Sequence, residues 1–297
     1  MATPYLDRFR TIYLENASMF KKNFENIQEE FGNEWHAEFD LHLERIFGQN
    51  DDSYRNAIKG YSRFAIDAMR LQHRFNKTKK YEDVSYDEAR QNYYLNDDYM
   101  MNLYLPGIFL SHFLWKHHYR QFLFYKDQFI PLLAEIGDKR FYEVGTGTGF
   151  YTVQVFRHYR DFRGIGIDIS PSSRRFTLNN VSGWGFEDSF TSMDINIIDA
   201  ELEPFPVIQC VEVLEHLSDP LSFLVHLRRL LQKGGYGFVT AALTAPNADH
   251  IYLYWNPSDV IAQLEEADFE VVEYCEEIAF EGGEDELVPK VAAFIVS

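Results

Sequence analysis

The chain has 297 residues, 46% of them apolar, enough to bury a large core and to form two domains. Its net charge of −18 leaves no basic face for nucleic-acid phosphates, and its two cysteines, Cys210 and Cys275, cannot build a disulfide framework or a zinc finger. No stretch reaches the roughly 18–20 uninterrupted apolar residues of a membrane span, and the N-terminal run MATPYLDRFR lacks the apolar core of a secretory signal. The expectation is a cytoplasmic protein acting on a small molecule, with neither nucleic acid nor membrane as partner.

Residues 1–135 read as a helical domain. TIYLENASMFKKNFENIQEEF and DSYRNAIKGYSRFAIDAMRLQHRF carry apolar residues at helical spacing, and four to six helices are expected. The Tyr-rich run YEDVSYDEARQNYYLNDDYMM begins as an exposed connector. Pro106-Gly107 marks a break before a further helical run, FLSHFLWKHHYRQFLFY. On that run, helical spacing places His112, Trp115 and Tyr119 on one face.

Residues 136–297 alternate strand and helix. The strands are RFYEV, RGIGID, INIID, VIQCVEV and YGFVTAAL, and the helices between them are YTVQVFRHYR, SSRRFTLNNV and PLSFLVHLRRLL. That alternation predicts an α/β fold, a mostly parallel sheet covered on both faces. DFEVVEYCEEIAF and VPKVAAFIVS read as a closing antiparallel hairpin around an acidic Gly-Gly loop.

The run Glu143-Val144-Gly145-Thr146-Gly147-Thr148-Gly149 sits between the first strand and its helix, where glycines let the backbone turn sharply and approach a ligand. Asp168 follows 19 residues later at the end of the next strand, placed to accept bonds from ribose hydroxyls. Dinucleotide sites space their glycines as Gly-x-Gly-x-x-Gly, whereas here the third glycine comes one residue early. The run resembles the first motif of class I S-adenosylmethionine-dependent methyltransferases, and Leu230-Leu231-Gln232-Lys233-Gly234-Gly235 is similar to that family's turn before its fifth strand. The resemblance covers Lys139 to the C-terminus and implies a Rossmann-like, seven-stranded, mostly parallel sheet. It implies S-adenosylmethionine as cofactor, with Glu143 and Gly145, Thr146, Gly147 and Gly149 facing its amino-acid part. Asp168 would take the ribose, Ile169 the adenine face, Asp199 and Ala200 the adenine edge, and Cys210 the region beside the methionine.

Glu212-Val213-Leu214-Glu215-His216 resembles a signature of many small-molecule methyltransferases. In ubiquinone-type and small-RNA O-methyltransferases the same pattern can supply metal ligands. Glu212, Glu215, His216 and His250 are therefore the candidate catalytic residues, and the candidate ligands of a divalent cation. The preferred reading has no catalytic metal, because Glu215-His216 can serve only to anchor a helix opened by Asp219-Pro220.

For the acceptor, Tyr93, Tyr94, Asp97 and Tyr99 combine ring faces with charge, which suits a cationic nitrogen. Trp115, Tyr252 and Tyr254 are further candidate lining residues. The expected function is methylation of a small metabolite, leaning to a nitrogen acceptor. The rivals are O-methylation of a hydroxyl or phenol, with or without a metal, and a cofactor-binding interaction protein without catalysis. The helical half is the candidate lid and the candidate surface for a homodimer, which nothing in the sequence requires.

Overall fold

The computed structural model describes residues 3–283 and 286–297. The helical half opens with α1 (Pro4–Asn16), α2 (Lys21–Phe47) and α3 (Asp51–Thr78). After a loop it continues through α4 (Tyr86–Ala89), a π-turn over Arg90–Tyr94, α5 (Asp97–Tyr99), a second π-turn over Met100–Tyr104, α6 (Leu105–Leu114), α7 (Lys116–Phe124) and α8 (Ile130–Leu132). The break expected at Pro106-Gly107 is absent. The π-turn over Met100–Tyr104 runs straight into α6, and its wider hydrogen-bond spacing accommodates the proline that follows. The chain breaks instead at Trp115, which takes an extended conformation (φ −118°, ψ 122°). Helical spacing therefore does not carry across Trp115. His112 stacks on Phe150 with ring centroids 4.1 Å apart, while Tyr119 packs in the core against Phe31.

The second half is built from β1 (Arg140–Val144), α9 (Phe150–His158), β2 (Arg163–Ile167), α10 (Pro171–Gly183), β3 (Phe190–Met193), β4 (Phe205–Cys210), α11 (Pro220–Arg229), β5 (Leu231–Leu243), α12 (Pro257–Glu266), β6 (Val271–Ile278) and β7 (Lys290–Val296). The seven strands form one sheet in the order β3-β2-β1-β4-β5-β7-β6, with only β7 antiparallel to its neighbours. β7 inserts between β5 and β6, and part of the loop joining the closing pair lies outside the described residues.

The third strand is not INIID but FTSM at Phe190–Met193. Ile197–Asp199 is a 3₁₀ turn, capped by the Asn196 side chain accepting from the Ile198 N–H. Leu230–Gly235 is no free turn but the bulged start of β5: Leu231 stands opposite Phe205, and Tyr236 opposite Val207. Helix α12 is an element the sequence reading did not anticipate; Asn256 and Asp259 form a capping box at its start.

Alternation along the central strands sends apolar side chains to both faces. Phe141, Val207, Phe238 and Ile295 pack with Phe150, Val153 and Phe156 of α9. Tyr142, Ile208, Val239 and Phe294 pack with Leu224 and Leu227 of α11 and Val260 and Leu264 of α12. The first of these clusters continues without interruption into Phe9, Trp35, Phe39 and Phe113 of the helical half. Tyr125 and Phe129 lie directly on Phe238 of the sheet, with centroids 4.8 and 5.4 Å apart. The strand order reverses between β1 and β4, and a crevice opens there at the carboxyl ends of the strands.

A charged contact fixes α2 to α9. Arg157 grips both oxygens of Glu38, with Nη2 to Oε2 at 3.0 Å, and His42 approaches Oε1 at 3.2 Å. Burial opposes the Glu38 charge, but bonds from His42 and Arg157 outweigh it and hold the carboxyl well below its ordinary 4.5. The contribution of a depressed carboxylate is present above its unfolded value and lost as pH falls below it. Glu38→Gln is expected to cost about 1–3 kcal/mol at pH 7. Denaturation followed from pH 7 down to about pH 3 should show the gap to wild type closing below about pH 4.5; a gap constant with pH would contradict this.

Candidate functional site

A cavity of about 640 Å³ occupies the crevice between the sheet and the helical half. On one side it is lined by Glu143, Gly145, Thr146, Gly147, Asp168 and Ile169. Gly145 has φ +76°, and a Cβ there would lie 2.4 Å from Val213 Cγ2, so only glycine fits this turn. Asp168 ties the glycine loop to the end of β2. Its Oδ2 accepts from the Gly147 N–H (3.2 Å) and the Thr146 hydroxyl (3.3 Å), and its Oδ1 accepts from the Ser170 N–H (2.8 Å). Burial still outweighs these bonds and raises the Asp168 carboxyl above its ordinary value. Glu143 is buried with Oε2 unpartnered, and burial, opposed only by a backbone bond, pushes its carboxyl well up.

Four expected cofactor residues lie off the cavity. Gly149 packs α9 against Thr177 of α10, where a Cβ would approach within 2.7 Å. Cys210 is wholly buried in the core of β4. Asp199 and Ala200 lie at and after the 3₁₀ turn, beyond the strand end they were expected to occupy. That position belongs to Asp194, which follows Met193 and pairs with Arg174 at 2.8 Å, beside Asp168, whose N–H bonds Met193 O.

Across the cavity stand Glu212, Glu215, His216 and His250, on the segments that follow β4 and β5. Glu212 takes a left-handed conformation (φ 52°) that costs a non-glycine residue energy. Thr240 of β5 holds it: Glu212 N–H donates to Thr240 Oγ1 (2.8 Å), whose hydroxyl donates back to Glu212 Oε1 (2.5 Å). The two segments are latched by Glu215 O, which accepts from the N–H groups of Ile251 (2.8 Å) and Tyr252 (2.9 Å). That latch brings the rings of His216 and His250 to 4.8 Å. One ligand atom each from Glu215, His216 and His250 lies within 4.8 Å of the others; Glu212 is not in this group.

The histidines are oriented. His250 Nδ1–H donates to Ala245 O at 2.6 Å, leaving Nε2 as a lone pair. His216 Nδ1 lies 3.2 Å from Asp249 O, 3.3 Å from Asp249 Oδ2 and 3.1 Å from the Tyr94 hydroxyl. Burial opposes charge on His216, but Asp249, through its charge and hydrogen bond, outweighs it and pushes the imidazole up to about 9. Burial and the neighbouring His216 bring His250 down to about 3, so it is neutral. Burial, then the Glu215 charge, holds the Glu212 carboxyl well above its ordinary range. Both Glu215 oxygens are buried without a partner. Asp219, not Glu215 or His216, caps α11 by accepting from the Ser222 N–H at 3.0 Å.

Of the expected acceptor residues, Tyr94 and Trp115 line the cavity. Asp97 instead accepts from Ser172 at 2.6 Å and pairs with Arg175 at 2.5 Å, fastening the helical half to α10. Tyr93 and Tyr99 pack against each other with tilted rings, centroids 5.1 Å apart, off the cavity. Tyr252 and Tyr254 pack with tilted rings, centroids 4.7 Å apart, and both bond Gln263 of α12. The acceptor side is walled instead by Tyr61, Phe64, Ala65, Ala68 and Met69 of α3, with Tyr104. Their helical spacing was readable, but not which face would meet the sheet.

The cofactor side fits S-adenosylmethionine: Gly147 admits close approach, Asp168 faces the cavity, and the unpartnered Glu143 oxygen can accept from an ammonium. Asp168→Ala is expected to weaken binding of S-adenosylhomocysteine by at least about tenfold in titration calorimetry. An unchanged affinity would show that the acid is not a cofactor ligand.

A family profile described as a methyltransferase domain matches residues 115–274. The ubiquinone biosynthesis O-methyltransferase of Hahella chejuensis is 30% identical over 106 residues, 36% of this chain and 44% of that protein. The enzyme of the same name from Coxiella burnetii is 27% identical over 108 residues, 36% and 45% of the two chains. The chain thus spans about half the length of the curated relatives it matches. Among solved structures, the N-methyltransferase NodS from Bradyrhizobium japonicum with S-adenosyl-L-homocysteine gives a TM-score of 0.46 at 20% identity, over 61% of this chain and 87% of that one. An S-adenosylmethionine-dependent methyltransferase from Geobacter sulfurreducens gives 0.46 at 14% identity, over 58% and 89%. No helix among the described residues is long and apolar enough to cross a membrane. With more than half of its length matched, on a sheet whose glycine loop and Asp168 at the end of β2 stand where the sequence put them, the chain belongs to the class I S-adenosylmethionine-dependent methyltransferases.

Proposed function

We propose that the chain transfers a methyl group to a hydroxyl oxygen of a small, largely apolar acceptor, assisted by a divalent cation at Glu215, His216 and His250. The observation that carries this reading is the buried Glu215 carboxylate, with both oxygens unpartnered, grouped with two imidazoles inside the cavity that holds the glycine loop. Such a carboxylate is costly unless a cation or proton meets it. One carboxylate and two imidazoles suit a first-row divalent ion. The names of the curated relatives favour oxygen over nitrogen as the atom methylated. The lean towards a cationic nitrogen rested on the Tyr-Asp run, whose Asp97 is spent on Ser172 and Arg175.

S-adenosylmethionine supplies a methyl group already activated on a sulfonium. The protein has to align the acceptor at about 3–3.5 Å, exclude water and remove one proton. A cation held by the three side chains would lower the pKa of an acceptor hydroxyl. His250 presents Nε2 because Ala245 O fixes its Nδ1–H; Asp249 and Tyr94 orient His216 through Nδ1, and its Nε2 would give up a proton to take the cation. Glu212, made more basic by burial and the Glu215 charge and held by Thr240, accepts the hydroxyl proton in its ionised form as the oxygen–methyl bond forms and the sulfur–methyl bond breaks. The apolar wall from α3 keeps the reacting atoms dry.

Turnover, read as S-adenosylhomocysteine formed from a panel of phenols, alcohols and amines, tests this reading. EDTA should abolish it and a divalent ion restore it. Glu215→Gln should lower kcat at least about tenfold with S-adenosylhomocysteine affinity unchanged. Amine methylation indifferent to EDTA would overturn both the oxygen acceptor and the cation.

A further inference from the structure

One polar corner of the cavity is used neither by the glycine loop nor by the Glu215 group. It forms where α6 meets α7. Because Trp115 leaves the helical region, the last turn of α6 and the first of α7 converge instead of continuing. His117 and His118 come to 4.4 Å between ring centroids, and His112 and His118 to 6.2 Å. These three, Trp115 and Gln121 all line the cavity.

The polar atoms here are unusually free. Ser111 donates to Ile108 O (2.8 Å), so its Oγ accepts from His118 Nδ1–H (2.9 Å) and leaves His118 Nε2 as a lone pair. Nδ1 of His112, Nδ1 of His117 and Oε1 of Gln121 are buried without a partner, in side chains 7, 5 and 2% exposed. Buried polar atoms in native proteins are nearly always paired, so the two imidazole Nδ1 atoms mark a place where a ligand acceptor pairs them, and Gln121 Oε1 remains for a donor. Burial keeps the imidazoles neutral; His112 and His117 each have an N–H to offer, while that of His118 is spent on Ser111.

The backbone adds to this. Helix α7 has no side-chain cap at Trp115, so its first N–H groups lack intrahelical partners and carry the positive end of the helix dipole. Lys116 and Arg120 stand on the same helix and are neutralised by Glu30, shared between them, and by Glu277 on Arg120. This corner suits a negative group through its imidazole N–H groups and the helix dipole rather than through net positive charge. It also adjoins the acceptor wall: Trp115 stacks on His117 (5.6 Å) and on Phe64 of α3 (5.3 Å).

We propose that the α6–α7 corner binds a carboxylate carried by the methyl acceptor, with His117 as its main recognition residue. The acceptor is then a hydroxylated acid with an apolar body, an identification that rests on the O-methyl-transfer reading, although binding itself does not.

The test is titration of phenols bearing a carboxylate on side chains of increasing length, each beside its carboxyl-free parent. They are added to the full chain saturated with S-adenosylhomocysteine. At least one acid should bind about tenfold or more tightly than its parent in wild type, and within about twofold of it in His117→Ala. The acid should also shift the ring nitrogen resonances of His117 and His118 in wild-type protein, a readout independent of how the variant folds. Absence of any acid preference, or a preference that survives His117→Ala, overturns the proposal. So does a loss of S-adenosylhomocysteine affinity in place of acid affinity, which would assign the corner to the cofactor's methionine end. An acid that binds as expected but is methylated elsewhere than on oxygen sinks the O-methyl reading and leaves the corner standing.

Discussion

Buried charge that must be neutralised within one wall of a cavity is the constraint on which the active region turns. Glu212, Glu215 and Asp249 carry three carboxyls into an environment where an unpaired carboxylate is costly. Each is met differently. Asp249 is paired with His216 and stays ionised; Glu212 accepts from Thr240 and is made more basic by burial; Glu215 is left open towards two imidazoles. These unequal environments set three chemically similar side chains apart, and in the proposed function each takes a different part: one orienting, one moving a proton, one presenting charge to a cation. The backbone pays for the arrangement in the left-handed Glu212, held by both of its bonds to β5.

The helical half completes this wall rather than merely covering it. Tyr94 places its hydroxyl on His216 while its backbone oxygen accepts from Ser170, two residues past Asp168. One residue thus touches both the cofactor side and the reacting side. Asp97 and its partners Ser172 and Arg175 anchor that segment, and the Tyr81 hydroxyl accepts from the Ala245 N–H beyond β5. On the opposite flank, Glu38 and Arg157 fix α2 to α9, and the apolar cluster runs unbroken from Phe9 to Phe238.

What the sequence disclosed follows from which constraints are local. The glycine loop and Asp168 were legible because a sharp turn and a strand-end acid impose residue type at fixed spacing. The pattern Glu212–His216 was legible for the same reason, although its partner Asp249 was not: nothing in a chain shows that a loop 33 residues on will return to His216. INIID was misread as a strand because its apolar alternation is stronger than that of FTSM, in which Phe190 alone is buried. Asp97 looked like a substrate ligand because its salt-bridge partner, Arg175, lies on another element. Helical spacing put His112 on one face with Trp115 and Tyr119; the extended Trp115, which brings His112 to His117 and His118 instead, has no sequence signature.

The central claim is transfer to oxygen. It is tested most directly by supplying S-adenosylmethionine labelled with ¹³C in its methyl group, together with a panel of hydroxyl and amine acceptors, and reading the products by carbon-detected NMR. The account predicts label in a methyl ether, dependent on a divalent ion. Label in an N-methyl group, formed equally well after chelation, would contradict it.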